Sequence, residues 1–291
     1  MGSRLLLALL WLVHWLPLRA QAAIGRALGA LLLRLARSRR EVAARNLELC
    51  LPEKTDAERA ALLREHFGWL GRSIVERGLL WYGKRERLER LIHVEGEVTL
   101  AEHSERPVMW LVPHFMALDV AGVAVQLFQS RPAASIYQPQ TNAVIDRAMR
   151  AGRLRFGRAE IFSRSESAKP LIRAIRQGRP FFNLPDMDFG ERDAAFVPFF
   201  GIPAATLLAP SRMARALDMV MQPVLAEMLP RGQGYRVRFL EPWTDFPTDD
   251  ALADTLRINR WIEDEIRASP AQYLWVHKRF KTRPEGEPRV Y

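Results

Sequence analysis

From about Val108 onward the chain alternates short apolar runs with stretches of helical periodicity. A run of about five apolar residues between turn signals fits a strand buried on both faces, and a helix between successive runs supplies the crossover that parallel strands require. The expected strands are Val108 to Val112, Ala133 to Tyr137, Pro180 to Leu184, Met219 to Leu225 and Tyr235 to Phe239. The expected helices are Ala117 to Leu127, Asn142 to Gly152, Ser167 to Gln177, Leu207 to Leu217 and Asp249 to Ala268. The pattern predicts an α/β fold with a mostly parallel central sheet flanked by helices. At 291 residues and 48% hydrophobic, the chain can bury one large core. Ahead of the sheet, Arg39 to Leu49 reads as a short helix ending before Pro52. Asp56 is expected to cap a long helix reaching about Tyr82, with Leu62, Leu63, Phe67, Leu70 and Ile74 on one face.

The amino terminus is apolar in two pieces. Leu5 to Leu18, closed by Pro17, is shorter than the roughly 20 residues that cross a bilayer. The following Ala20-Gln-Ala22 resembles a signal-peptide cleavage site. However, a second apolar stretch, Ile24 to Leu35, follows at once and ends in Arg34, Arg37, Arg39 and Arg40, a combination that signal peptides do not normally carry. Residues 1–38 are therefore expected to form an uncleaved membrane anchor, either tilted through the bilayer or lying in its interface with Trp11 and Trp15 at headgroup level. The arginines would keep residues 39–291 on the cytoplasmic side. Leu6 stands where a myristoylation signal needs Ser or Thr.

The formal charge of +10 is almost wholly arginine, since lysine occurs only as Lys54, Lys84, Lys169, Lys278 and Lys281. A guanidinium fork suits phosphate and carboxylate, so an anionic partner is expected: a phospholipid surface, an acidic carrier protein or a phosphorylated substrate. No helix-turn-helix, zinc-finger or RNA-binding signature is present, and nucleic acid is not expected. The single Cys50 precludes an internal disulfide and reads as a small buried side chain.

The residues with most chemical content lie beyond the expected strand ends, where α/β sheets place their sites. His114 and Asp119, in His114-Phe-Met-Ala-Leu-Asp119, form a candidate base and orienter. They can meet only if the histidine precedes a helix whose first turns carry the aspartate. Tyr137 to Asn142 follows a strand, and Asn142 caps a helix. Arg153 and Arg155 close that helix and suit an anionic group. Asp186 and Asp188 follow another strand, and His277, Lys278 and Arg279 lie near the end of the chain. The Asp186-x-Asp188 pair also admits a rival reading as a metal-dependent glycosyltransferase. There is no G-x-S-x-G elbow, no P-loop, no G-x-G-x-x-G, and no histidine spacing suited to zinc, so neither a metal nor a nucleotide cofactor is expected. A non-catalytic membrane adaptor is the remaining alternative.

Taken in order, these segments resemble the bacterial lipid A biosynthesis acyltransferases of the late, lauroyl and myristoyl type. The likeness runs nearly end to end. It is carried by the apolar amino terminus, Arg39 to Cys50 before Leu51-Pro-Glu53, His114 to Asp119, Tyr137 to Asn142 and Gly152 to Arg155. It continues through Leu184 to Gly190, Val197 to Gly201 and His277 to Gly286. The resemblance implies acyl transfer from an acyl carrier protein thioester to a hydroxyl of a lipid A precursor, at the cytoplasmic face of the inner membrane and without a cofactor. A relative acting on another hydroxylated lipid, such as an ornithine lipid, would look much the same. The resemblance further implies that His114, Asp119, Arg153 and Asp186 are catalytic. His114 would be the base held by Asp119, Arg153 an anion or oxyanion contact, and Asp186 the group ordering that arginine or the acceptor. Tyr137, Asn142, Arg155, Asp188, His277 and Arg279 are expected at the substrate.

Overall fold

The computed structural model describes residues 2–164 and 167–291; Met1 of the expected anchor lies outside them. The helices are α1 Gly2–Val13, α2 Leu18–Leu35, α3 Arg37–Cys50, α4 Asp56–Tyr82, α5 Arg85–Leu91, α6 Leu100–His103, α7 Leu118–Leu127, α8 Ala143–Leu154, α9 Lys169–Arg176, α10 Ala209–Ala216 and α11 Ala251–Ala268. The strands are β1 Ile92–Gly96, β2 Val108–Leu111, β3 Ala133–Tyr137, β4 Ala159–Ser163, β5 Phe181–Asn183, β6 Ala194–Phe199, β7 Ile202–Leu207, β8 Val220–Met228 and β9 Tyr235–Phe239. Seven strands form one sheet in the order β1-β9-β8-β2-β5-β3-β4, and β6 and β7 form a separate antiparallel hairpin. Within the sheet, among the described residues, only β8 and β9 run antiparallel. The predicted α/β architecture is therefore present, and all five expected strands are found.

Side-chain alternation divides the core at the sheet. Along β2 and its continuation, Val108, Trp110 and Val112 enter one apolar layer with Val120, Ala121, Val123 and Ala124 of α7. Met109 and Leu111 enter the opposite layer with Ile258, Ile262 and Ile266 of α11 and with Leu171 and Ile175 of α9. A central strand clothed by helices on both faces must be apolar at every position, which is why β2 is legible as an unbroken run.

The cap of helix α4 lies one residue earlier in the chain than expected. Thr55, not Asp56, accepts the Glu58 amide, and Glu58 reaches back to the Thr55 amide in a reciprocal capping box. Asp56 instead pairs with Arg59. Cys50 is buried as expected, and burial pushes its thiol well above the usual value, so it stays protonated.

The amino-terminal helices pack on α4 through glycines. A Cβ on Gly71 would lie 2.1 Å from the Gly25 carbonyl oxygen, and one on Gly29 would lie 2.1 Å from that of Phe67, so α2 and α4 meet backbone to backbone. Gly78 receives α1 in the same way, 2.4 Å from the Leu10 oxygen. Because the obstructing atoms are main chain, no rotamer change relieves them. Gly71→Ala is accordingly expected to destabilise the protein by about 2–3 kcal/mol, measurable by thermal or chemical unfolding of the detergent-solubilised chain.

No helix among the described residues is long and apolar enough to cross a membrane. Pro17 separates α1 from α2, and both expose large apolar side chains: Leu5, Leu9, Trp11, Leu12 and Trp15 on α1 and its end, Ile24, Leu31 and Leu35 on α2. Toward the other terminus, the tail beginning at Lys278 folds back on the core. The Tyr291 hydroxyl donates to the Asn46 side-chain oxygen and accepts from the Phe280 amide.

Candidate active site

Two neighbouring parallel strands build the centre of the site. In the β2–β5 register Leu111 stands opposite Asn183, and the Val112 amide extends the pairing to the Asn183 carbonyl at 2.9 Å. Each strand then ends in the same way. Val112-Pro113-His114 leaves β2, and Leu184-Pro185-Asp186 leaves β5. His114 and Asp186 each lie three residues past the paired positions, so equal lengths of chain deliver them to the same place. The Asp186 carboxylate accepts the His114 ring Nδ1 at 2.6 Å through one oxygen and the His114 backbone amide at 2.8 Å through the other. With Nδ1–H donated to a carboxylate, Nε2 carries the lone pair that can take a proton. Asp186 is buried; burial raises its carboxyl, but the His114 charge, the two hydrogen bonds and Arg279 reverse this and leave it below the usual carboxylate range.

This arrangement corrects the pairing expected from the sequence. Asp119 does lie in the first turn of α7, but its carboxylate turns to two guanidiniums rather than to the imidazole. Arg153 donates Nη2 at 2.9 Å and Nε at 3.1 Å to one oxygen, and Arg77 approaches the other at 3.1 Å. Arg77, on α4, was not among the expected site residues; its one sequence signal is a position one helical turn past Ser73 on the polar side of an otherwise packed helix. Burial tends to raise the Asp119 carboxyl, yet the two arginines and their hydrogen bonds bring it down to about 2. An unfolded aspartate titrates near 3.9, so this cluster contributes on the order of 2 kcal/mol that is fully present above about pH 4 and is lost as pH falls toward 2. Asp119→Asn is expected to remove that amount at neutral pH, with the gap to the parent chain closing below about pH 3 in unfolding measured against pH.

His114, Asp119, Tyr137, Arg153 and Arg77 line one open cavity of about 410 Å³, together with Ser73, Phe115, Met116, Gln138, Met149, Arg164 and Phe189. Behind Asp119 and Arg153 the cavity adjoins a smaller recess of about 80 Å³ whose wall is mostly apolar, with Leu80, Trp81, Leu118, Gly122, Val123, Val125, Ile136, Ile161 and Phe182 beside the polar Gln126 and Ser135. Leu118, Asp119, Ile136, Tyr137, Arg153, Phe182 and Leu184 border both spaces. His114 thus faces a cleft that continues into a largely apolar pocket.

The remaining expected substrate contacts are structural. Arg155 donates to the carbonyls of Leu80 and Gly83, fastening the end of α8 to the end of α4. Arg153 and Arg155, two residues apart on a helix, point about 200° from one another, so they cannot share an anion. Arg279 is buried and donates to the Ala205 carbonyl and the Thr206 hydroxyl. Asp188 accepts the Thr282 amide and hydroxyl and the Gly190 amide, and its own amide donates to His277 Nε2 at 3.1 Å. Burial, then the His114 charge, pulls His277 down to about 4, which keeps it neutral as an acceptor. Asn142 caps α8 through the Val144 and Ile145 amides and donates to Ser3 of α1. The two aspartates of the Asp186-x-Asp188 pair therefore serve different protein donors. Among the described residues no group of three or more His, Cys, Asp or Glu side chains is arranged to hold a metal ion.

A histidine paired with a carboxylate at the carboxyl edge of an α/β sheet, beside a cleft with an apolar end, is an arrangement suited to acyl transfer. The chain belongs to the family of bacterial lipid A biosynthesis acyltransferases, whose model matches residues 2–282. It is 33% identical over 288 residues to the lipid A biosynthesis lauroyltransferase of Escherichia coli strain K12, covering 98% of this chain and 93% of that one. The palmitoleoyltransferase of the same strain is 33% identical, with 98% and 92% covered, and its myristoyltransferase is 30% identical, with 93% and 82% covered. The protein is an acyltransferase of lipid A biosynthesis.

Proposed function

We propose that the protein transfers a fatty acyl chain from an acyl carrier protein thioester to the 3-hydroxyl of an acyl chain already carried by a lipid A precursor, with His114 as general base. The observation that carries this reading is His114, fixed by Asp186 through ring and main chain, on the wall of a cavity that ends in an apolar recess. An aliphatic alcohol is a poor nucleophile at neutral pH, so its proton must leave during attack. The acceptor O–H proton passes to His114 Nε2 as the oxygen bonds to the thioester carbonyl carbon. The carbonyl electrons become an oxyanion facing Arg153, which Asp119, itself paired on its other oxygen with Arg77, holds in place. Collapse of the tetrahedral intermediate breaks the carbon–sulfur bond, and the leaving thiolate takes the proton from the imidazolium. Asp186 remains ionised throughout and stabilises the charged ring. The thioester is already activated, so the step needs no metal or nucleotide.

The exposed apolar side chains of α1 and α2 support placement in the bilayer interface, with the active site on the cytoplasmic side of the inner membrane where acyl carrier protein is found. The test is to supply the purified full chain with lauroyl, myristoyl and palmitoleoyl carrier thioesters and a lipid A precursor in the presence of chelator, and to read products by mass spectrometry. One acyl increment is expected from the parent chain and none from His114→Ala. Transfer by His114→Ala would remove that residue as base, and transfer to another hydroxylated lipid instead would reassign the acceptor.

A further inference from the structure

Among the described residues, the charged side chains that line the catalytic cavity are matched within the protein, with one exception. Arg77 and Arg153 share the Asp119 carboxylate, and His114 is held by Asp186. Arg164 lines the same cavity and has no carboxylate partner among the described residues. Partial burial lowers its guanidinium from the usual value, but a guanidinium starts so far above neutrality that it stays charged. The cavity wall therefore carries a cation that nothing described in the fold neutralises.

That cation is held in place from two sides. Tyr137 and Ser163 stand opposite one another at the ends of β3 and β4, and the Arg164 amide donates to the Tyr137 carbonyl at 3.0 Å, so Arg164 leaves the sheet on a fixed backbone. Its guanidinium lies over the Phe189 ring, 3.4 Å from the centroid. Phe189 is fixed in turn, because the buried Asp188 beside it accepts from Thr282 and from the Gly190 amide and so pins the loop around the ring. Asp188, which the acyl-transfer chemistry does not use, thus shapes the platform. A guanidinium that stacks by its face keeps its N–H edge free, and those coplanar donors match the oxygens of an anion. Gln138 stands opposite Arg164 in the continued register and lines the same cavity, bringing a second donor to that wall.

We propose that Arg164, on its Phe189 platform and with Gln138 opposite, is a phosphate subsite of the catalytic cavity that binds a phosphate ester carried by one of the two substrates. The inference rests on the acyl-transfer reading. The groups that react, an alcohol and a thioester, are uncharged, so neither of them calls for an unmatched cation on the wall. What the two substrates add is phosphate: a phosphodiester in the pantetheine arm of a carrier thioester, and phosphate monoesters on the sugars of a lipid A precursor. A guanidinium already stacked on a ring binds such a group with little further loss of side-chain freedom. Holding the phosphate at Arg164 then fixes how far along the cavity toward His114 the rest of that substrate reaches.

The test measures binding to the full-length chain in detergent micelles, one substrate at a time so that nothing turns over. Lauroyl-phosphopantetheine is compared with lauroyl-pantetheine, and the phosphorylated lipid A precursor with its dephosphorylated form. One pair should show a preference for its phosphorylated member of roughly 10–100-fold, the range of a charge-assisted hydrogen bond. Arg164→Gln should abolish that preference while binding the phosphate-free member as before, and the pair affected names the source of the phosphate. Phe189→Leu keeps the cation but removes its platform, and should lose about threefold or more of the same preference. Both side chains are exposed, so unfolding temperatures should stay parental. No preference in the parent chain, or one that survives Arg164→Gln, overturns the subsite. So does a loss confined to intact acyl carrier protein with both pairs unchanged, which would give Arg164 to carboxylates of the carrier. A parent chain that binds none of the four compounds overturns the acyl-transfer reading itself, and the subsite falls with it.

Discussion

Asp186→Asn is expected to lower turnover by about 10²–10⁴-fold in a protein that still folds. Asp186 accepts two hydrogen bonds from one residue, the ring Nδ1–H and the main-chain amide of His114. An asparagine can accept only one of them, because its other terminal atom is a donor. If the amide oxygen keeps the backbone N–H, the amide NH₂ faces Nδ1. The ring proton is then forced onto Nε2, where the base needs its lone pair. If the side chain flips, an NH₂ is pressed against the His114 N–H and the loop that carries the histidine shifts. Either way the imidazole is disarmed. Asp119→Asn leaves that tautomer intact and loosens only the arginines, so its loss of turnover should be at least an order of magnitude smaller. Thioester consumption by the two purified variants decides which carboxylate orients the base, and parental turnover in Asp186→Asn would discard the assignment made here.

The second large effect is expected in acyl selectivity. Gly122 lies inside α7 and borders the apolar recess, and a Cβ added there meets nothing within 4 Å. Gly122→Leu therefore grows into empty space and replaces a poor helix former with a good one, so the fold should tolerate it or gain slightly. A donor whose tail occupies the recess loses room for its last carbons. Each methylene denied burial costs about 0.8 kcal/mol, or about fourfold in binding. Displacing three methylenes should then depress use of the longest accepted donor by roughly 50–100-fold while leaving shorter ones close to parental. Competition between donors of different length, read as product ratios, checks this. A uniform fall across all lengths would place the tail elsewhere. Gly152 offers no such opening, since a Cβ there would lie 2.2 Å from the Trp81 ring.

The parts of this architecture that could be read from the sequence are those where burial leaves no choice of residue. Strands β2, β5 and β8 are mostly apolar because neighbours cover them and β3 nearly so, whereas β9, Tyr-Arg-Val-Arg-Phe, stands out by alternation, its Tyr, Val and Phe buried between paired arginines. Strands β1 and β4 are the two edges of the sheet; Ile-His-Val-Glu-Gly and Ala-Glu-Ile-Phe-Ser mix polar and apolar residues as edges do, and neither reads as a strand. The β6–β7 hairpin is masked by Pro198 and Pro203, which stand opposite one another in its register. At the site, nearness along the chain favoured Asp119 as the partner of His114, whereas the true partner is 72 residues away across a strand pair. The signal was present as two strands each ending in an apolar residue, a proline and a polar residue, and it becomes informative only once their adjacency is known. Arg77 could not be found this way, because a lone arginine on a long amphipathic helix is ordinarily a solvated one.

The glycine seam between α2 and α4 bears on how far this enzyme can be cut down. Ser73 and Arg77, which border the catalytic cleft, belong to the helix whose Gly71 is sealed by α2. Trimming the chain at residue 38 to obtain a more tractable fragment would strip that seal and leave the middle of α4 bare beside the reactive pocket. The greasy leader is thus a buttress behind one wall of the workshop, and solubility sought by amputation should come at the expense of the cleft itself.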